Sequence, residues 1–205
     1  MRKVILMMQV SLDGFIEGPE QDLSWHRVDD ELHTHFNDLL RTMGGFLDGR
    51  VTYEMMADFW PTADQDPSNP AAEIEFAGIW RDMPKIVYSR TLAKADWNTE
   101  VVGEVVADDV VKLKAQPGGD LALGGARLSA AFRRLGLIDE YRIYVHPVLI
   151  GRGTPLFEES DALTTLRLLE SRAFGNGVVL LRYAAKPDAA DPDAAQPDAA
   201  HAKDR

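Results

Sequence analysis

The chain has 205 residues, 45% of them hydrophobic, enough for one domain with a substantial core. Its net charge is −11 and it has no cysteine, so disulfides, thiolate metal sites and cysteine nucleophiles are excluded, and a nucleic-acid backbone is a poor partner. No apolar run approaches the ~20 residues of a membrane span; the run after Met1-Arg2-Lys3 stops at Gln9 with no small-residue cleavage site behind it, and a cytoplasmic protein is expected.

Val4–Val10 is almost continuously apolar, as in a central strand covered on both faces. Gln9 is its one polar position. Ser11-Leu12-Asp13-Gly14 follows at the carboxyl end, where open α/β sheets collect ligands. Asp13 reads equally as a site carboxylate and as a turn-former before Gly14. Asp29-Asp30-Glu31 opens a helix, with acids where the macrodipole favours them, and Leu32, Phe36, Leu39, Leu40 and Met43 supply its apolar stripe. His33 and His35 are two apart on that helix and point away from each other. With His26 they are expected to pack or to be solvated, and no metal is expected. Phe46-Leu47-Asp48 is a short strand, and Gly49-Arg50-Val51-Thr52-Tyr53-Glu54 leads into a helical run toward Trp60-Pro61. Arg50 and Thr52 suit phosphate oxygens at that helix start; surface charge and capping are the other reading.

Thr62–Pro70 is a polar loop, Glu73–Arg81 a short helix, and Lys85–Tyr88 a third strand closed by Ser89-Arg90-Thr91-Leu92. A serine and an arginine after a strand suit a further phosphate, such as the 2′-phosphate of NADPH. Val101-Val102 is a short strand and Asp108–Lys114 a helix. Leu121-Ala122-Leu123 then runs into Gly124-Gly125 and a helix carrying Leu128, Ala131, Phe132 and Leu135, with Gly136 where a C-cap belongs. Free N–H groups and absent β-carbons there would admit a diphosphate; a tight turn without a ligand is the alternative. Two such junctions in one chain favour a dinucleotide. Tyr141–Ile150 is the longest predicted strand, with a bulge or unpaired edge at Pro147. Gly151–Phe157 is a glycine-rich loop, and Leu166–Phe174 and Val178–Tyr183 form a hairpin across Gly175-Asn176-Gly177. The order predicts a three-layer α/β fold: a mixed, mostly parallel sheet with helices on both faces and a C-terminal antiparallel hairpin.

The segments S-L-D-G, G-R-V-T-Y-E, Y-S-R-T-L, L-G-G-A-R-L and I-D-E-Y-R-I-Y-V-H-P-V-L-I-G-R-G-T-P-L-F occur in that order. Together they resemble the dihydrofolate-reductase-like superfamily, and most of all the C-terminal reductase domain of the riboflavin-biosynthesis deaminase-reductase. The resemblance spans Met1–Tyr183. It implies an eight-stranded mixed sheet, NADPH as hydride donor, a small heterocyclic or sugar-derived substrate, and a homodimer. It sets Gly49, Arg50 and Thr52 near the cofactor phosphates, Ser89 and Arg90 at the adenosine 2′-phosphate, and Gly124, Gly125, Ala126 and Leu128 at the diphosphate. Gln9, Ser11 and Asp13 would line the substrate side, with Asp13 catalytic. Glu31, or its neighbour Asp30, would be the proton donor or simply a helix-start acid. Riboflavin-pathway reductases carry a glutamate before the Gly-Gly, where this chain has Leu123, and no deaminase segment with zinc-binding cysteines stands in these residues. The expected activity is an NADPH-dependent reduction related to that of 5-amino-6-(5-phosphoribosylamino)uracil reductase. Dihydrofolate reduction, or nucleotide binding without turnover, are the alternatives.

From Lys186 the composition changes. Pro-Asp-Ala-Ala starts at Pro187, Pro192 and Pro197, and proline at that interval stops any helix while nothing large and apolar is left to bury. Residues 1–185 are expected to be the reductase domain and 186–205 a disordered tail. The tail has three basic and five acidic residues, so −9 of the −11 belongs to the domain. Ending the chain at Ala185 should change the melting temperature by no more than about two degrees; a larger drop in a thermal melt would mean that the tail docks.

Overall fold

The computed structural model describes residues 1–160 and 163–185. Its central strand, β1 (Val4–Ser11), is covered on both faces because its first residues are all large and aliphatic. In chain order there follow β2 (Phe15–Glu17), α1 (Asp30–Leu40), β3 (Gly45–Gly49), α2 (Arg50–Phe59), α3 (Ala71–Asp82), β4 (Lys85–Tyr88) and β5 (Thr99–Val102). Then come α4 (Ala107–Ala115), β6 (Leu121–Leu123), α5 (Ala126–Arg134), β7 (Glu140–His146), β8 (Thr154–Pro155), β9 (Arg167–Ala173) and β10 (Val179–Ala184). The main sheet has eight strands in the order β5-β4-β3-β6-β1-β7-β10-β9. Every pair from β5 to β7 is parallel, and β10 runs antiparallel to both β7 and β9. The carboxyl ends of six adjacent strands therefore share one edge.

Alternation along β1 divides the core. Val4, Leu6 and Val10 pack with Val110 of α4 and with Leu128 and Phe132 of α5. Ile5 faces the other way, against Leu40, Tyr53, Phe76 and Trp80 of the first three helices. A third cluster, Leu32, Phe36, Tyr144, Phe174, Val178 and Leu180, joins α1 to the C-terminal hairpin. The expected three-layer architecture is thus observed. Asp29 caps α1 by accepting from the Leu32 N–H at 3.0 Å, and Asp30 and Glu31 occupy its first turn.

Three local expectations need correction. β7 stops at His146 rather than Ile150 and is shorter than β1, because Pro147 has no N–H to continue the ladder. The loop Thr62–Pro70 is not wholly irregular: Trp60–Gln65 forms a 3₁₀ turn, held by a two-pronged contact from Arg81 to Asp64 at 2.8 and 2.6 Å. The glycine-rich loop carries β8, which pairs with β2 in a separate two-stranded ribbon. Gly153 makes that pairing possible: it has φ +152°, and a β-carbon there would run into the Glu17 carbonyl. The proposed tail lies outside the described residues.

The β1–β7–β10 junction is tied by a buried acid. The Glu140 carboxylate accepts from Nε of Arg142 at 2.7 Å and of Arg182 at 3.0 Å, and Lys3 lies 3.5 Å away. Burial pushes this acid up, but the two guanidinium groups outweigh it and hold it below the usual glutamate range. Its contribution is therefore complete above that range and is lost as pH falls through it. Glu140→Ala should destabilise by roughly 3 kcal/mol at neutral pH, measured by urea unfolding, because the partly buried Arg142 guanidinium loses its partner and that of Arg182 keeps only Glu170. A change below about 0.5 kcal/mol would remove Glu140 from the stabilising contacts.

Candidate active site

At the shared carboxyl edge, β3 and β6 are neighbours and each leads straight into a helix. α2 begins after Gly49 and α5 after Gly125, and neither N-terminus has a side-chain cap. Each first turn thus presents free N–H donors and the positive end of a helix dipole. The two turns touch. Gly125 has φ +84°, and a β-carbon on it would lie 2.8 Å from the Thr52 hydroxyl; one on Gly124 would lie 2.8 Å from an Asp48 carboxyl oxygen. Glycine at both positions is what allows the close approach.

A cavity of about 620 Å³ opens beneath these turns, on the face covered by α1–α3. Its floor is Met7 and Gln9 of β1, Phe46 and Asp48 of β3, and Ala122 with Gly124. Met55, Met56 and Trp60 form one wall, Phe36 and Tyr144 another, and Ile16, Leu23 and His26 lie toward the β1–α1 connection. Most of this surface is apolar. A volume of this size suits a small organic molecule.

The sequence-based candidates divide into three groups. Gln9, Thr52, Gly124 and Gly125 meet at the cavity. Gly49, Ala126 and Leu128 stand at the helix starts, but Ala126 and Leu128 are buried side chains, so only their backbone N–H groups can face a ligand. Arg50 is exposed and paired with Glu54 at 3.0 Å. Ser89 accepts from the Thr91 and Leu92 N–H groups, and Arg90 beside it is exposed at the carboxyl end of β4. Gly124, Thr52 and Ser89 therefore follow one another along β6, β3 and β4, spanning roughly 10 Å at ordinary strand spacing.

The third group is a correction. Ser11 and Asp13 lie outside the cavity. Ser11 donates to Asp13 at 2.6 Å, and the Asp13 carboxylate accepts from the N–H groups of Ile150 and Gly151. The Ser11 hydroxyl and these N–H groups hold Asp13 below the usual aspartate range, the opposite of what a proton donor needs. It ties the turn after β1 to the loop after β7. Glu31 is likewise committed, accepting from the Gly175 N–H at 3.0 Å and facing Arg172 at 3.4 Å.

Sequence reasoning did not single out Asp48. It is 5% exposed and lines the cavity beside Gly124. Burial pushes its carboxyl up to about 7, although the nearby charge of Lys85 pulls the other way. The Lys85 ammonium is itself buried, donating to the Trp80 and Met83 carbonyls at the end of α3. The one available signal was a carboxylate within an otherwise apolar strand. Because the folded state holds the Asp48 proton more tightly than the unfolded chain does, stability falls as pH rises from about 4 to about 7. Asp48→Asn should therefore stabilise the protein by up to about 4 kcal/mol near pH 8 and have little effect near pH 4. Chemical unfolding at the two pH values checks this, and a pH-independent effect would mean that Asp48 is not buried in its neutral form.

Comparison with known proteins agrees with this architecture. Residues 2–180 match the RibD C-terminal domain family. The uncharacterized protein YyaP of Bacillus subtilis strain 168 is 34% identical over 183 residues, covering 89% of this chain and 94% of its own. Among solved structures, a protein of Shewanella sp. PV-4 provisionally assigned to riboflavin biosynthesis superposes with a TM-score of 0.71 at 23% identity, over 90% of this chain and 99% of that one. The diaminohydroxyphosphoribosylaminopyrimidine deaminase/5-amino-6-(5-phosphoribosylamino)uracil reductase of Thermotoga maritima gives 0.61 at 15% identity, over 90% of this chain but only 57% of its own. These two structures share the fold. With the sequence match over nearly all of the described residues, the chain belongs to the RibD C-terminal domain family.

Proposed function

We propose that this protein is an NADPH-dependent reductase, related to the riboflavin-pathway reductases, that delivers hydride to a conjugated C=N or C=O of a small heterocyclic or sugar-derived molecule. The observation that carries this reading is the contact of two uncapped helix starts over Gly124-Gly125, at the mouth of an apolar cavity. NADPH, when bound, supplies the hydride. The chain's own part is to bind, to orient and to exclude water. Backbone N–H groups at the starts of α2 and α5 suit a diphosphate, and the absent β-carbons at Gly124 and Gly125 let the two helix starts come close enough to face it together. Thr52 adds a hydroxyl at the same place. With its carboxyl pushed up to about 7, Asp48 beneath Gly124 is only partly ionised at neutral pH and repels an anion there less than an ordinary carboxylate would. The apolar walls keep water from the reacting atoms, and close packing of two reactants in one cavity provides the proximity that hydride transfer requires.

Dihydrofolate is a weaker candidate substrate. None of the acids on α1, Asp30, Glu31 and Asp38, lines the cavity. A homodimer is part of the proposal on the strength of the family resemblance. Glycines and N–H groups alone do not distinguish NADPH from NADH; a cation does. The domain's net charge of −9 opposes an extra phosphate, and Arg90 is the exposed cation at the carboxyl end of β4. Titration should show micromolar or tighter NADPH binding and weaker NADH binding. Arg90→Ala should weaken NADPH roughly tenfold and leave NADH unchanged, the loss expected for one solvent-accessible charge-assisted hydrogen bond. No binding of either nucleotide would overturn the reductase reading. Equal losses for both would move the 2′-phosphate contact away from Arg90.

A further inference from the structure

Gln9 is the polar residue in the cavity floor contributed by β1, and its amide is not free to choose its orientation. β1 and β7 run parallel with Gln9 opposite Tyr144 and Ser11 opposite His146, so these four side chains share one face. The His146 ring lies between two fixed partners. Its Nδ1 accepts the Arg27 backbone N–H at 3.0 Å, and its Nε2 lies 2.9 Å from the Gln9 amide oxygen. A backbone N–H can only donate, so Nδ1 carries no proton. In a neutral imidazole the single proton is then on Nε2, and it must be donated to Gln9. His146 is fully buried, and burial, followed by the charges of His26 and Arg27, keeps the ring neutral at ordinary pH. His26 stacks on the ring at 5.2 Å and 19°, and Trp25 meets both edge-on, which holds the imidazole plane in place.

We propose that His146 is a positioning residue that fixes the Gln9 amide with its oxygen toward β7 and its N–H groups toward the cavity, and that the cavity therefore takes a molecule presenting a carbonyl oxygen or an unprotonated ring nitrogen against Gln9. Among the described residues the Gln9 amide nitrogen donates to no protein acceptor. The Tyr144 hydroxyl on the same face is turned to His35 at 2.9 Å. A ligand N–H placed there would leave donors facing each other in an apolar pocket, which is costly. The buried Nε2 of His26, which has no hydrogen-bond partner among the described residues, belongs to a residue lining the same cavity and is a second polar point beside this one. The inference names the substrate class for the cavity of the proposed reductase, and it rests on that reading only for the cavity's use.

The test needs no cofactor, so its failure and failure of the reductase reading are separable. The probes are 1-tetralone and tetralin, bicyclic molecules of similar shape that differ by one carbonyl. Calorimetric or ligand-observed titration should show wild type preferring tetralone by roughly tenfold, the scale of one buried hydrogen bond. Gln9→Leu should bring the preference to about one, by weakening tetralone without weakening tetralin. His146→Phe should reduce it to a few-fold, because the amide is then free to turn, and the double variant should be no worse than Gln9→Leu alone. Should His146→Phe fail to fold, the ¹⁵N spectrum of wild-type His146 decides: the proton belongs on Nε2, unchanged down to about pH 5. A proton on Nδ1, a preference that survives Gln9→Leu, or binding of neither probe would each overturn the proposal.

Discussion

Ile5 and Leu6 are adjacent in β1, point to opposite sides of the sheet, and are both buried. A strand in that condition needs a helical layer on each face and hydrogen-bonded neighbours on each edge. β6 and β7 supply the edges, through Val4 opposite Leu121 and Ile5 opposite Glu140. Because both pairings are parallel, the crossover helices must return the chain to the same end each time, α2 and α3 over one face and α4 and α5 over the other. The carboxyl ends of β1, β3 and β6 then have no alternative but to meet at one edge. The cavity is the space left where their helices diverge.

Three carboxylates show how different surroundings give one functional group different uses. Glu140 is enclosed with cations and stays ionised; it stitches strands together. Asp13 is exposed but surrounded by donors, and it fastens two loops. Asp48 is enclosed with little to neutralise it except a lysine already engaged elsewhere, and it holds a proton near neutrality. Only the last lies in the cavity. Solvation and hydrogen-bond donors, rather than position at a strand end, sort these carboxylates into structural ties and ligand-facing groups.

Much of the fold was legible because its signals are local. An unbroken aliphatic run marked β1, a 3.6-residue stripe marked α1 and α5, and paired glycines marked the β6–α5 junction. Gln9, Thr52, Gly124 and Gly125 were legible as candidates for the same reason, since each sits at a recognisable strand end or helix start. The β2–β8 ribbon was not: two or three residues have no period, and the pairing depends on Gly153 meeting Glu17 far along the chain. Asp13 and Glu31 looked catalytic because a carboxylate at a turn or helix start carries no mark of its partners. Those partners, Gly151 and Gly175, are each more than 130 residues away. Asp48 and the Gln9–His146 pair were hidden by the same distance, since burial and tautomer are properties of a neighbourhood assembled only on folding.

With no cysteine in the chain, all of its sulfur is methionine, and four of the seven methionines, Met7, Met8, Met55 and Met56, line the cavity. An unbranched thioether turns about three bonds at little cost, so such a wall re-forms around different outlines while the backbone stays still. The glycine-bounded mouth and the oriented amide are rigid by comparison. Recognition in this pocket therefore divides between a fixed polar end, which reads chemistry, and a plastic apolar end, which tolerates variety in shape.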